Sequence, residues 1–329
     1  FSPDTFSPDA FSSAQTRSHI GISAFDGVIS EGIVLNTWEN TGDFYIRVRG
    51  RNGAFASNAP FTLTVTVTAG SCGGVSTALP PSDLPVNGTD LRTLILVDWT
   101  RMQLTPGDRT ALEAKLNQLA GRREVAGAVI DVGQDARVRA ANGQADLNPA
   151  CPFAKNLVAA SIEAIIDRYR AANPLDYIVL VGNDDVIPFF RYPDQANLAN
   201  ERNYVPPVRD SSASQASLRL GYILTQDRYG SAFELSSKVN ALPFPDLPVG
   251  RLVETLPEIT AVVDAYLQTS DGVVATPARA LVTGYDFLED AALAVERQLA
   301  AGLGDGVTTL ITPREISPAD ERSWSADDL

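Results

Sequence analysis

The sequence predicts an α/β fold built on a mostly parallel sheet with helices on both faces, and three observations predict it. The run Tyr177-Ile178-Val179-Leu180-Val181 is continuously apolar rather than alternating, which marks a strand buried on both sides. Asn173-Pro174 precedes it, and Gly182 breaks it into the acidic loop Gly182-Asn183-Asp184-Asp185-Val186-Ile187-Pro188. From residue 91 onward, runs of this kind alternate with amphipathic helical patterns, as a parallel sheet with helical crossovers requires.

Residues 1–19 hold the repeat Ser2-Pro3-Asp4-Thr5-Phe6 and Ser7-Pro8-Asp9-Ala10-Phe11, too polar and Pro-rich to pack a core, and read as a tether. Residues 20–69 turn to period-two runs, Phe44-Tyr45-Ile46-Arg47-Val48-Arg49 and Phe61-Thr62-Leu63-Thr64-Val65-Thr66-Val67-Thr68, with Gly50-Arg51-Asn52-Gly53 as turn residues. These are expected to form part of a β-sandwich, with too few strands in view to close one. Residues 70–90, rich in Gly, Ser and Pro, read as a linker. The α/β domain is then expected over 91–329.

Within it, Thr93-Leu94-Ile95-Leu96-Val97 is a strand ending at Asp98. Thr105-Pro106 opens a helix as N-cap and first-turn proline, with Leu112, Leu116 and Leu119 on one face and Gly121 just beyond its end. Residues 125–132 form a second strand. Residues 153–172 form a helix whose stripe is Val158, Ile162, Ile165, Ile166 and Tyr169. After the Tyr177 strand, a long polar excursion over 189–217 suggests a functional loop, and strand character returns over 218–225. Pro257 starts a helix facing inward through Ile259, Val262, Val263, Tyr266 and Leu267. A strand over 279–283 leads to Gly284-Tyr285-Asp286, Asp290 heads a helix through Ala301, and residues 307–311 form a last strand.

The formal net charge of −14 opposes the phosphate contacts that supply most nucleic-acid affinity, and no stretch approaches the roughly 20 apolar residues of a spanning helix. Nucleic-acid partners and membrane-spanning segments are therefore not expected. The chain opens on Phe1 with no charged-then-apolar leader and stops in what reads as a helix start, so it is read as an excerpt of a longer protein. Cys72 and Cys151 lack zinc spacing and are either one disulfide or two inert thiols.

Asp184 and Asp185, at a strand end, have the chemistry to hold a hard cation such as Mg²⁺ or Ca²⁺; the alternative is a pair of turn caps facing solvent. A receiver-type phosphate-accepting site with Asp98 is a further alternative, against which the few lysines, Lys115, Lys155 and Lys238, are badly placed. His19 is the one histidine and sits in the tether. No Gly-x-Ser-x-Gly elbow, Gly-x-Gly-x-x-Gly or Gly-x-x-x-x-Gly-Lys occurs, and neither cysteine has an imidazole partner in view. By motif alone the segment is a catalytically empty scaffold.

Two resemblances add to this. Gly42-Asp43-Phe44-Tyr45-Ile46-Arg47-Val48 and Ala59-Pro60-Phe61-Thr62-Leu63-Thr64-Val65 resemble the last strands of the bacterial pre-peptidase carboxy-terminal type of domain. The motifs Tyr177 to Pro188, Asp227-Arg228-Tyr229-Gly230 and Pro245-Asp246-Leu247-Pro248-Val249-Gly250-Arg251-Leu252 resemble, in order and spacing, the amino-terminal half of the catalytic domain of gingipain-type cysteine peptidases, relatives of caspases in fold. The resemblance implies a secreted endopeptidase acting on polypeptides, with its catalytic His and Cys beyond this chain, so no catalytic residue is assigned within it. It implies that Asp184 and Asp185 line a loop beside the cleft, and that Asp290 is the carboxylate that binds a basic P1 side chain, with Asp286 and Glu289 competing for that role. A helix cap explains Asp290 without any substrate. No cofactor is implied apart from calcium as a candidate ion. The rival expectation is a non-catalytic surface protein with a caspase-like fold.

Overall fold

The computed structural model describes residues 45–48, 50, 53–66, 72–194, 209, 211–236, 241–273, 277–312, 324–325 and 328. The tether, His19 and most of the expected sandwich lie outside the described residues. Residues 45–48 and 61–66, which are described, form no strand, and Tyr45, Ile46, Phe61 and Leu63 are exposed.

The chain divides into two compact units, residues 1–265 and 266–329. At the centre of the first is a four-stranded, all-parallel sheet of β1 (Thr93–Val97), β2 (Gly127–Asp131), β3 (Tyr177–Val181) and β8 (Val249–Leu252), in the order β2-β1-β3-β8. Ile95 pairs with Val129 on one side and Val179 on the other, and Leu180 pairs with Arg251. β1 is therefore central, which explains a run with no polar alternation and no exposure from Leu94 to Val97.

Helix α1 (Pro106–Ala120) starts where Thr105 accepts the Asp108 N–H and buries Leu112, Leu116 and Leu119. α2 (Ala136–Leu147) is capped by Asp135, which accepts the N–H groups of Arg137 and Val138. α3 (Pro152–Ala172) buries Val158, Ile162, Ile165, Ile166 and Tyr169. Leu94, Leu96, Ile178 and Leu180 join α2 and α3 in one core on one face of the sheet. Period-two alternation sends Ile95 and Val97 to the other face. There α1 is joined to α5 (Leu256–Leu267) by the Lys115–Asp264 ion pair, and α5 buries Ile259 and Val263. Helices thus cover both faces.

Between β3 and β8 the chain departs from the parallel pattern. β4 (Phe190–Pro193) pairs antiparallel with β5 (Tyr222–Thr225) after the short α4 (Ala213–Arg219), and β6 (Ser231–Ser236) pairs antiparallel with β7 (Ala241–Pro245). The strand expected over 218–225 begins only at Tyr222, because Ser212 caps a helical turn that runs through Arg219. α2 was absent from the sequence expectation.

Residues 72–91, expected as a linker, form a strap laid over α2 and α3. Val75, Leu79, Leu84, Val86 and Leu91 pack on the core, Leu84 N–H donates to Asp135, Asn87 N–H to the Tyr169 hydroxyl, and Leu91 N–H to Asn173. Of the two alternatives for the cysteines, the structure has the disulfide: Cys72 and Cys151 are bonded with Cα atoms 5.1 Å apart, which ties the strap to the start of α3.

The second unit contains β9 (Ala280–Gly284) and β10 (Val307–Ile311), a parallel pair joined by α6 (Glu289–Leu303). They pair with each other and not within the four-stranded sheet. Gly284 is required by close approach: a Cβ there would lie 2.6 Å from that of Ala292 on α6.

Candidate functional site

In a parallel sheet the crevice lies at the carboxyl ends of neighbouring strands whose connections leave in opposite directions. Here the chain leaves β1 toward β2 on one side and leaves β3 toward β8 on the other, so the crevice is between β1 and β3. The loops that follow these strands carry Asp98 to Arg101 and Gly182 to Pro188.

The loop after β3 begins at Gly182, whose φ of 102° lies in the left-handed region, and a Cβ there would meet the Val186 side chain at 2.7 to 2.9 Å. This turn sends Asp184 inward. Its carboxylate is 7% exposed and accepts from Arg191 Nη1 at 2.6 Å, Phe189 N at 2.8 Å and Ser214 Oγ at 2.6 Å, with Arg191 Nη2 completing a two-pronged pair. Arg191, on β4, is fully buried and also donates to Ser217. Asn156 of α3 clamps the Arg191 backbone, accepting its N–H at 2.7 Å and donating to its carbonyl at 2.9 Å. Burial by itself would raise the Asp184 pKa, but the Arg191 guanidinium outweighs it and holds the group down at about 2.

Asp185 points the other way. Its side chain is half-buried, paired with Arg209 and 4.0 Å from the Lys155 ammonium. Burial pushes Lys155 below the ordinary lysine value, with Asp184 opposing. The Asp185 backbone carbonyl accepts from Arg101 Nε at 2.6 Å, and the rest of that guanidinium forks onto Asp146 at 2.9 and 3.1 Å. Arg101 thereby joins the β1 and β3 loops.

Asp98 is 1% exposed and accepts from Thr100 N at 3.0 Å, Thr100 Oγ1 at 2.5 Å and Asn142 Nδ2 at 3.2 Å. Burial raises its pKa, and neighbouring Asp131 adds to that. So enclosed a carboxylate is badly placed to accept a phosphoryl group from solvent.

Two further motifs close on the same loop. Arg251 of β8 donates from Nη1 to the carbonyls of Gly182 and Ile187, both at 2.8 Å, and from Nε to Gln226 at 3.0 Å. Its guanidinium lies 4.1 Å from the Phe189 ring centroid. Tyr229, in the 3₁₀ turn Asp227–Gly230, donates its buried hydroxyl to the Pro188 carbonyl at 2.7 Å. The Gly230 carbonyl accepts the N–H groups of Asp246 and Leu247 at 3.0 Å, and Gln226 donates to Val249 O. The three segments that carry the peptidase resemblance thus meet in one knot around residues 182–188.

The knot does not suit a divalent cation. Both Asp184 oxygens are taken by N–H and O–H donors, so an ion would have to displace Arg191. Among the described residues no three His, Cys, Asp or Glu side chains converge on one point. Arg191 was missed in the sequence because it lies past Pro188 in a polar excursion; the signal was an arginine between two aromatic residues, Phe190 and Tyr192.

Asp286 and Asp290 belong to the second unit. Asp286 opens the 3₁₀ turn Asp286–Leu288 after β9. Asp290 is exposed in the first turn of α6, where its carboxylate accepts the Ala291 N–H at 3.0 Å; Leu288 occupies the N-cap position and offers no side-chain cap. Beside them Tyr285 stacks on Trp324, with ring centroids 5.0 Å apart, and the Trp324 indole donates to Gly284 O at 3.0 Å. The β9 end therefore presents two carboxylates next to an aromatic ledge.

No protein-family model, curated protein or solved structure matches this chain. Among the described residues no helix is long and apolar enough to cross a membrane.

Proposed function

We propose that this chain is the scaffold portion of a secreted, gingipain-like cysteine endopeptidase whose nucleophilic Cys and base His are carried by the parent protein outside the present sequence. The observation that carries the reading is the convergence of three motifs, far apart in sequence, on one loop at the carboxyl end of a central parallel strand. Parallel α/β sheets put their chemistry at such ends.

The residues of this chain supply support rather than bond-making. Both cysteines are consumed by the disulfide, so neither offers a thiolate, and a disulfide suits an oxidising exterior. Asp184, Arg191, Arg251 and Tyr229 are occupied in holding the loop. In the parent, an imidazole takes the thiol proton, the thiolate attacks the peptide carbonyl, and backbone N–H groups stabilise the oxyanion. Asp290, or Asp286 beside it, pairs with an Arg or Lys side chain of the polypeptide substrate.

The test is the catalytic efficiency of the parent on one Arg-P1 peptide. Asp290→Asn should lower kcat/KM by on the order of 2 to 4 kcal/mol in transition-state binding, as expected for loss of a charge-assisted pair. Asp286→Asn is the companion variant. Unchanged efficiency in both would remove the proposed carboxylate site. The pairing of both Asp184 oxygens with Arg191, Phe189 N–H and Ser214 also favours a second reading, a surface protein with this fold and no dyad; its parent would show no thiol-dependent cleavage at all.

A further inference from the structure

We propose that the Cys72–Cys151 disulfide is a latch with a fixed polarity, opened by an external thiol that attacks Cys72 and expels Cys151. The two sulfurs sit in unlike places. Cys151 is 1% exposed, whereas Cys72 is half-buried at the outer end of the strap, so an incoming thiolate reaches Cys72. Cys151 is also the N-cap residue of the 21-residue helix α3, and its Sγ accepts the Ala154 N–H at 3.3 Å. A thiolate formed there is stabilised by that donor and by the positive end of the helix, which makes Cys151 the better leaving group.

The exchange balances with two external thiols. The first thiolate forms a bond to Cys72 Sγ, the Cys72–Cys151 bond breaks, and its electron pair goes to Cys151. The second thiol resolves the mixed disulfide, leaving a Cys72 thiol and an oxidised external disulfide, so two electrons pass from the external thiols to the protein.

The strap's anchoring decides what opening does. Its outer part is held by exposed bonds, the Ser76 N–H to Gln144 and the Gln144 amide back to Ser76 O at 2.9 Å, by the partial burial of Val75 and Leu79 on the core, and by the covalent tie at Cys72. Its inner part is held at buried groups, with Asp135 fully enclosed, Tyr169 1% exposed and Asn173 6% exposed. Reduction therefore loosens residues 72–76, which lose the covalent tie and keep only exposed bonds and one partly buried side chain, Val75, and leaves residues 84–91 seated. The outer end of the strap then loses its covalent fastening to α3, so the latch couples the seating of residues 72–76 to the surrounding redox state, which on the secreted reading proposed above is that outside the cell.

Limiting glutathione, a quench with iodoacetamide and peptide mapping test the polarity. The expected product carries glutathione on Cys72 and the alkyl group on Cys151; an adduct mainly on Cys151, or equal amounts on both, overturns the proposal. Hydrogen exchange tests the release. In the Cys72→Ser protein, and in the reduced wild type, the Val75 and Ser76 amides should lose protection while those of Leu84, Asn87 and Leu91 keep it. Retained protection at Ser76, or its loss along the whole strap, overturns the proposed release.

Discussion

Replacing Asp184 by Asn removes one charge from the knot and leaves the Arg191 guanidinium fully buried beside a neutral amide. Two routes give the magnitude. The carboxyl group is held down from 3.8 to about 2, and at about 1.4 kcal/mol per unit that corresponds to about 2 kcal/mol of stability at neutral pH. Breaking a buried pair by removing one partner costs about 3 to 5 kcal/mol, because the remaining charge is uncompensated. Asn retains one oxygen, enough to accept the Phe189 N–H, while its amide nitrogen faces Ser214 Oγ and can only donate to it, so a loss of about 3 kcal/mol is expected. Urea unfolding followed through Trp99, which is buried in the first unit, reads it. Arg191→Met should cost a similar amount, and the double variant should cost about 2 kcal/mol less than the sum of the two. The pH dependence has a definite sign. A depressed carboxyl contributes stability that is present above the unfolded pKa and is lost as pH falls from about 4 toward 2, and Asp184→Asn should lack that portion of the acid loss. A single-variant loss under about 1 kcal/mol, or strict additivity, would refute the claim that this pair organises the loop.

Three further outcomes are expected. Gly182→Ala should destabilise by roughly 1 to 3 kcal/mol, since the positive φ and the contact with Val186 both oppose a Cβ; a neutral thermal shift would argue against the turn. Tyr229→Phe leaves the Pro188 carbonyl without its donor and should cost about 1 to 2 kcal/mol by the same urea assay. Calcium or EDTA should leave the unfolding midpoint of the wild type unchanged, whereas a calcium-dependent rise that Asp184→Asn abolishes would restore the cation site.

The elements legible in the sequence were those whose signals are local. Thr105-Pro106 marks the start of α1 because the cap and the first-turn proline are adjacent, and the run Tyr177 to Val181 marks β3 because a central strand needs no polar positions. α2 was missed because Asn142, Gly143 and Gln144 interrupt its apolar stripe, although Asp135 stood as its N-cap signal. The strap was read as a linker because Gly, Ser and Pro dominate its composition, while its fastening depends on a few spaced residues, Val75, Leu79, Leu84 and Val86, and on a distant cysteine. At the site, the sequence offers the adjacent Asp184 and Asp185 as ligands. Their partners Arg191, Arg209 and Lys155 come from β4, a loop and α3, and only the fold brings them together. Adjacent carboxylates cannot by themselves tell a metal from a guanidinium.

If peptide-bond chemistry resides in the parent outside this chain, hydrolysis of an Arg-P1 peptide by the isolated chain and by its parent, each with and without a thiol reductant, distinguishes the two. The expected result is no turnover by the chain, and thiol-dependent turnover by the parent that iodoacetamide abolishes and that Cys72→Ala with Cys151→Ala leaves intact. Turnover by the isolated chain that survives loss of both cysteines, or a parent with no thiol-dependent cleavage, would contradict it.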